Sequence, residues 1–205
     1  MYRNILSEKQ AELLPLLKLF SKDFYLVGGT AIALHIGHRR SIDFDLFTSS
    51  NLKKKHIQNS IRKKNFPIRH ISYEDSEQLH MIINSVKVTF YHFPYSVTAN
   101  IYFDDIIRLP SLRDLAAMKA FALGRRGKWK DYVDLYFLLR DCYSLSDVSQ
   151  RAREIFQKEF NEKLFRQQLC YFDDVDFTES VEYVSDRVSE EEVRTFLTNI
   201  ATAPF

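Results

Sequence analysis

A short apolar run that stops at two glycines, Phe24-Tyr-Leu-Val-Gly-Gly-Thr30, is followed by the alternating stretch Ile42-Asp-Phe-Asp-Leu-Phe47, and together these constrain the fold more than any other part of the chain. Residues 24 to 27 are aromatic or aliphatic, which predicts a short buried strand ending at a turn that Gly28 and Gly29 supply. Thr30 is placed to cap a helix over Ala31–Ile36, whose first N–H groups have no partner within the helix and offer a seat to an anion. In a strand over 42–47, Ile42, Phe44 and Leu46 point one way. Asp43 and Asp45 then share the other face, roughly 7 Å apart along the strand.

Two carboxylates that close resist joint ionisation unless a cation neutralises them. Hard oxygen ligands of this kind suit Mg²⁺ or Mn²⁺ carrying a substrate phosphate. Taken alone, a double glycine is most often an ordinary turn, and an isolated Asp-x-Asp is most often a solvated edge strand. Coupled in this order, they point to nucleotide chemistry.

Gly28-Gly29-Thr30 followed by His38-Arg39-Arg40-Ser41-Ile42-Asp43-Phe44-Asp45-Leu46-Phe47 resembles the AbiEii/AbiGii toxin branch of the nucleotidyltransferase superfamily. Two later stretches are similar to that branch's helical motifs, an Asp-x4-Lys and a following helical Asp: Ser111-Leu-Arg-Asp114-Leu-Ala-Ala-Met-Lys119 and Lys130-Asp131-Tyr-Val-Asp134-Leu-Tyr-Phe-Leu-Leu139. The resemblance runs over roughly residues 20 to 140. It implies an NTP substrate whose phosphates are held at Gly28, Gly29, Thr30, Arg40 and Ser41, a divalent metal on Asp43 and Asp45, a triphosphate contact from Lys119 and support from Asp131. It also implies a toxin-like or phage-defence role, with RNA (tRNA included) or a protein side chain as acceptor and a cognate antitoxin as partner.

The later motifs can also be read from helix geometry. Leu112, Leu115, Ala116, Lys119, Ala122 and Leu123 share one helical face, so Lys119 either snorkels along the core or meets an anion. Asp114 follows Ser111 in a capping-box pattern and is expected to be structural. In the next helix Asp131 falls in the arc of Leu135, Leu138 and Cys142, whereas Asp134 groups with Lys130 and Asp141 on the side expected to be wet.

One element departs from the branch's pattern. Metal-dependent nucleotidyltransferases generally carry a third carboxylate on a neighbouring strand. Here the corresponding strand is Val86-Lys-Val-Thr-Phe-Tyr-His92, with Thr89 at that position. A hydroxyl is no base near pH 7. This opens a second possibility, a nucleotide-binding or partner-binding module that keeps the fold without efficient turnover. Glu74, Asp75, Glu77, Asp104 and Asp105 lie in stretches that read as loops.

With 205 residues, 45% hydrophobic and 27% charged, the chain is long enough for a substantial core. No apolar run approaches the ~20 residues of a membrane span, and the start lacks a signal peptide's apolar segment, so the cytoplasm is the expected location. Cys142 and Cys170 show no metal spacing and read as small reduced hydrophobes, and the histidines at 35, 38, 56, 70, 80 and 92 form no zinc-like pattern. Charge is asymmetric. Residues 51 to 70 carry Lys53, Lys54, Lys55, Arg62, Lys63, Lys64 and Arg69 without an acid, a surface suited to an RNA backbone or simply a solvated helix face. Residues 173 to 192 are strongly acidic.

The expected order is a helix over 5–20, strand 24–27, helix 30–37, strand 42–47, helix 52–65, and strands 66–73, 79–84 and 86–93. Helices follow at 112–124, 129–141, 145–159, 162–171 and 189–200. This predicts an α+β fold: a nucleotidyltransferase-like mixed-sheet lobe with flanking helices over 1–110, then a helical lobe over 111–205 that completes a cleft holding the four motifs.

Overall fold

In a computed structural model, which describes residues 1–125, 127–185 and 187–204, the chain divides into two compact units, Met1–Ser111 and Leu112–Phe205. The first unit is built on one seven-stranded mixed sheet. Its strands are β1 (Tyr25–Val27), β2 (Phe44–Thr48), β3 (Ile68–Glu74), β4 (Gln78–Ile83), β5 (Val86–His92), β6 (Ala99–Phe103) and β7 (Ile107–Pro110), in the order β3-β4-β5-β2-β1-β7-β6. β2 with β5 and β1 with β7 are parallel pairs, and the remaining neighbours are antiparallel.

Four helices belong to this unit: α1 (Glu8–Glu12), α2 (Leu14–Phe20), α3 (Gly28–Ile36) and α4 (Lys54–Lys63). The single helix expected over 5–20 is instead a short 3-10 turn at Arg3–Ile5 followed by α1 and α2. Ser7 caps α1 with a capping box to Gln10, and Pro15 stands in the first turn of α2. Proline fits a first turn, where its missing N–H removes no helical bond. One sheet face is lined by Leu26, Phe44, Leu46, Leu79, Met81, Val88 and Phe90, and Phe20 and Phe24 meet Phe90 edge to face at 5.0 and 5.2 Å. Such pairs add about 0.5–1.5 kcal/mol each beyond their buried area.

The β6–β7 hairpin has no counterpart among the expected elements. Asp104 takes φ +46 at its turn, and the Ile106 N–H donates to the Phe103 carbonyl. An aspartate tolerates this left-handed geometry better than most residues, which makes Phe103-Asp-Asp-Ile106 a turn signal between two short apolar runs.

The second unit is helical: α5 (Leu112–Leu123), α6 (Trp129–Asp141), α7 (Leu145–Phe156), α8 (Glu162–Leu169) and α9 (Glu190–Thr202). α6 is its centre, with Tyr132, Val133, Leu135, Tyr136 and Leu138 fully buried, and Phe121 of α5 stacks on Phe156 of α7 at 3.8 Å. α7 ends three residues short of expectation because the chain passes into a 3-10 turn in which Gln157 takes φ +50. The acidic stretch after α8 is largely irregular. Within it Asp176 bridges to Lys128, and Glu179 pairs with Lys128 at 2.6 Å and Lys130 at 3.1 Å, while Asp186 lies outside the described residues. Cys142 and Cys170 are exposed at the C-terminal ends of α6 and α8, not buried as small hydrophobes.

Candidate active site

The double glycine does more than turn the chain. α3 starts at Gly28 itself, two residues before the expected capped start, and Val27 at its N-cap provides no side-chain bond. Thr30 is therefore not the cap. It sits buried in the first turn, and its hydroxyl donates to the backbone carbonyl of Asp43. Gly28 takes φ +73, and a Cβ added there would fall 2.3 Å from Asp45 Oδ2. Gly29 is tight in another way: a Cβ would fall 2.6 Å from the Arg39 guanidinium and 3.1 Å from the Ser41 hydroxyl. The first turn of α3, whose N–H groups lack helical partners, thus has the Asp45 carboxylate against one glycine and Arg39 and Ser41 against the next.

β2 begins at Phe44, so Asp43 precedes the strand and Ile42, expected to face inward, is 57% exposed. Phe44 and Leu46 are buried, while Asp45 and Phe47 alternate onto the half-buried face. The Asp45 carboxylate has no hydrogen bond or ion pair to any described residue. Arg40 reaches the carbonyls of Asn4 at 3.2 Å and Leu6 at 3.4 Å, tying the N-terminal turn to this loop. Among the described residues no group of three or more His, Cys, Asp or Glu side chains is arranged to hold a metal. The candidate ligands remain Asp43 and Asp45, and hard carboxylate oxygens of this kind suit Mg²⁺ or Mn²⁺ when a substrate supplies the rest.

Register puts Thr89 directly beside Asp45 on β5. Three of the other acids weighed in the sequence, Glu74, Asp75 and Asp104, are engaged elsewhere. Glu74 pairs with Lys54 at 3.0 Å, Asp75 accepts the Tyr73 hydroxyl and the N–H groups of Glu77 and Gln78 in the β3–β4 turn, and Asp104 pairs with Arg3 across the surface.

In the second unit Lys119 lies buried between two carboxylates, 2.7 Å from Asp131 Oδ1 and 2.9 Å from Asp134 Oδ2, with side-chain exposures of 6%, 3% and 0%. Asp134, expected on the wet side with Lys130 and Asp141, is the most buried of the three. α6 is packed on nearly all sides, so helical periodicity gives no dry–wet division there. Asp114 is buried as well, and Arg151 Nε donates to it at 2.5 Å, which agrees with a structural role.

A seven-stranded mixed sheet with a glycine turn leading into a helix and an Asp-x-Asp at the next strand is the arrangement of a nucleotidyltransferase fold. The family described as Nucleotidyl transferase AbiEii toxin, Type IV TA system, matches residues 16–98 and 70–203, and the chain belongs to it. An uncharacterized protein of Aquifex aeolicus is 30% identical over 157 residues, covering 74% of this chain and 75% of its own length. Among solved structures, the putative nucleotidyltransferase from Helicobacter pylori superposes with a TM-score of 0.60 at 18% identity, covering 95% of this chain and 94% of that one. The nucleotidyltransferase toxin MenT4 of Mycobacterium tuberculosis gives a TM-score of 0.60 at 13% identity over 95% and 82% of the two chains. At these identities the two structures share the fold.

Proposed function

We propose that this chain moves a nucleoside monophosphate from an NTP to a hydroxyl of RNA, tRNA included, or of a protein, and that it does so as a toxin held in check by a cognate antitoxin or as a phage-defence protein. The observation that carries this reading is the placement of the Asp45 carboxylate against Gly28, which brings a carboxylate to a helix start whose first N–H groups have no helical partner. Asp43 and Asp45 would hold Mg²⁺ or Mn²⁺. Such a cation, when bound, neutralises charge on the triphosphate and aligns the α-phosphate for in-line attack.

The remaining roles follow from the residues themselves. Gly28 and Gly29 let the backbone approach the phosphates, and the Thr30 hydroxyl fixes the Asp43 carbonyl and with it the approach to β2. Ser41 lies against Gly29 at the same turn, whereas Arg40 serves the site by anchoring its loop to Asn4 and Leu6. The triphosphate contact that the family resemblance implies for Lys119, with support from Asp131, is not carried into this reading, because within the second unit Lys119 is buried between Asp131 and Asp134. A basic acceptor surface is offered by α4, where Ile57 and Ile61 are buried and Lys53, Lys55, Arg62, Lys63 and Lys64 are exposed.

Thr89 beside Asp45 favours a second reading, a nucleotide-binding module of the same fold without turnover. Radiolabelled NTPs with Mn²⁺ or Mg²⁺ separate the two. Label in RNA or protein that disappears in Asp45→Asn establishes transfer. Calorimetric nucleotide binding with no label from any NTP establishes the module.

A further inference from the structure

Two residues along β2 from Asp45 the same face of the sheet becomes aromatic. Side chains two apart on a strand share a face, so Phe47 follows Asp45, and register sets Tyr25 of β1 on one side of it and Tyr91 of β5 on the other. Phe93, just past β5, extends the group, its N–H donating to the Thr48 carbonyl at 2.8 Å. Phe47 is the ring that the others share: its centroid lies 6.5 Å from Tyr25, 4.9 Å from Tyr91 and 5.0 Å from Phe93. These rings stand on the side of the sheet away from Leu26, Phe44, Leu46, Val88 and Phe90, roughly 7 Å along the strand from Asp45.

Phe47 and Tyr91 are half-buried, whereas Phe93 and Tyr25 are 6% and 8% exposed. Tyr25 is the odd member. Its side chain is more than nine-tenths buried, yet its hydroxyl makes no hydrogen bond to a described residue. Buried tyrosine hydroxyls nearly always have a partner, so an unused one beside a half-open ring marks a place where a ligand supplies it. Burial pushes the phenol above its ordinary pKa, which keeps its proton in place for donation. The group thus offers ring surface and one polar atom without any charge of its own, the lining that a flat, neutral heteroaromatic ring requires.

We infer that these rings seat the nucleobase of the incoming NTP, with Phe47 and Tyr91 as the stacking surface, Phe93 behind them and the Tyr25 hydroxyl bonded to the edge of the base. The inference rests on the nucleotide binding proposed above and deepens it by naming what holds the base. Phosphates at Gly28 and Asp45 and a base against Phe47 are two strand residues apart, the space that a sugar fills between them. Every base has a π-face, so stacking on Phe47 and Tyr91 supplies affinity without choice among bases. Choice falls to Tyr25, whose hydroxyl meets one edge atom and discriminates against a base that leaves it unpaired.

The test uses the full chain with Mn²⁺ and compares, by calorimetry, non-hydrolysable analogues of the four NTPs with inorganic tripolyphosphate, which has the phosphates and no base. The wild type is expected to bind at least one NTP about tenfold or more tighter than tripolyphosphate. Phe47→Ala is expected to weaken that NTP by about tenfold or more and to leave tripolyphosphate affinity unchanged. Tyr25→Phe keeps the ring and removes a hydroxyl that has no partner among the described residues, so the Tm is expected to hold while the affinity ratios among the four bases change about 2- to 10-fold. This second variant decides the matter if Phe47→Ala does not fold. The inference is overturned if NTPs and tripolyphosphate bind alike, if Phe47→Ala weakens both equally, if Tyr25→Phe leaves the ratios unchanged, or if the variants weaken RNA binding and not NTP binding. Base-dependent binding with no label moved from any NTP overturns the transfer reading alone. Binding that ignores the base overturns this inference alone.

Discussion

Gly28 is the residue on which the site's geometry turns. Alanine there would have to adopt φ +73 and place a Cβ 2.3 Å from Asp45 Oδ2, so the side chain is excluded by backbone strain and by the carboxylate together. Gly28→Ala is expected to cost about 1–3 kcal/mol of stability and to displace Asp45, so that nucleotide-dependent Mn²⁺ binding weakens more than the fold does. Parallel urea melts and Mn²⁺ titrations check this. The glycine pair and the aspartates are legible in the sequence because the apolar run before them and the Phe–Asp alternation are local patterns. Thr30's actual bond is not, since it reaches a carbonyl 13 residues away.

At the scale of elements, α5 and α6 are coupled by one buried ammonium and two buried carboxylates. Removing one partner of a buried charge group leaves the others unsatisfied, and Lys119→Met is expected to destabilise the chain by about 3–5 kcal/mol. Chemical denaturation measures it. If the triple variant Lys119→Met, Asp131→Asn, Asp134→Asn recovers part of that loss, the cost comes from orphaned charge and not from poorer packing. Lys119 and Asp131 are visible as motif residues. The burial of Asp134 against Lys119 is not, because a helix packed on nearly all sides has no wet face for a polar residue to mark.

A pH effect belongs to the same unit. Lys128 and then Lys130 hold the Glu179 carboxyl at about 2, below its ordinary 4.5. A depressed carboxyl contributes stability above its unfolded pKa and loses it as pH falls through the folded one. Glu179→Gln is therefore expected to lower stability at pH 7 by about 0.5–1 kcal/mol, the range for largely exposed pairs. The difference from the wild type should close as pH falls from 4.5 to about 2. Thermal melts of both proteins across that window give the answer.

For the whole molecule, seven strands, two parallel pairs and two units follow from a chain in which sheet-forming segments precede helical ones. The switch is legible at Leu109-Pro-Ser111. The β6–β7 hairpin is not, because its strands are short and their apolar residues are satisfied only by pairing at the sheet's far edge. Charge is also distributed at this scale, with exposed cations on α4 and no acid from 51 to 70. If α4 follows an RNA backbone, replacing Lys55, Lys63 and Lys64 by alanine should weaken RNA binding similarly across sequences. It should also flatten the dependence of log affinity on log salt by roughly 0.7–0.9 for each phosphate that is no longer neutralised. Filter binding over a salt series measures the slope.

The transfer reading depends on Asp43 and Asp45 taking up a divalent cation together with a nucleotide. Electron paramagnetic resonance of free Mn²⁺, titrated with the chain and a non-hydrolysable NTP, measures that uptake without requiring turnover or a known acceptor. Mn²⁺ retention is expected to need both protein and nucleotide and to fall at least tenfold in Asp45→Asn. Equal retention by the wild type and Asp45→Asn, or by nucleotide with and without protein, would remove the metal from these two aspartates and the transfer reading with it.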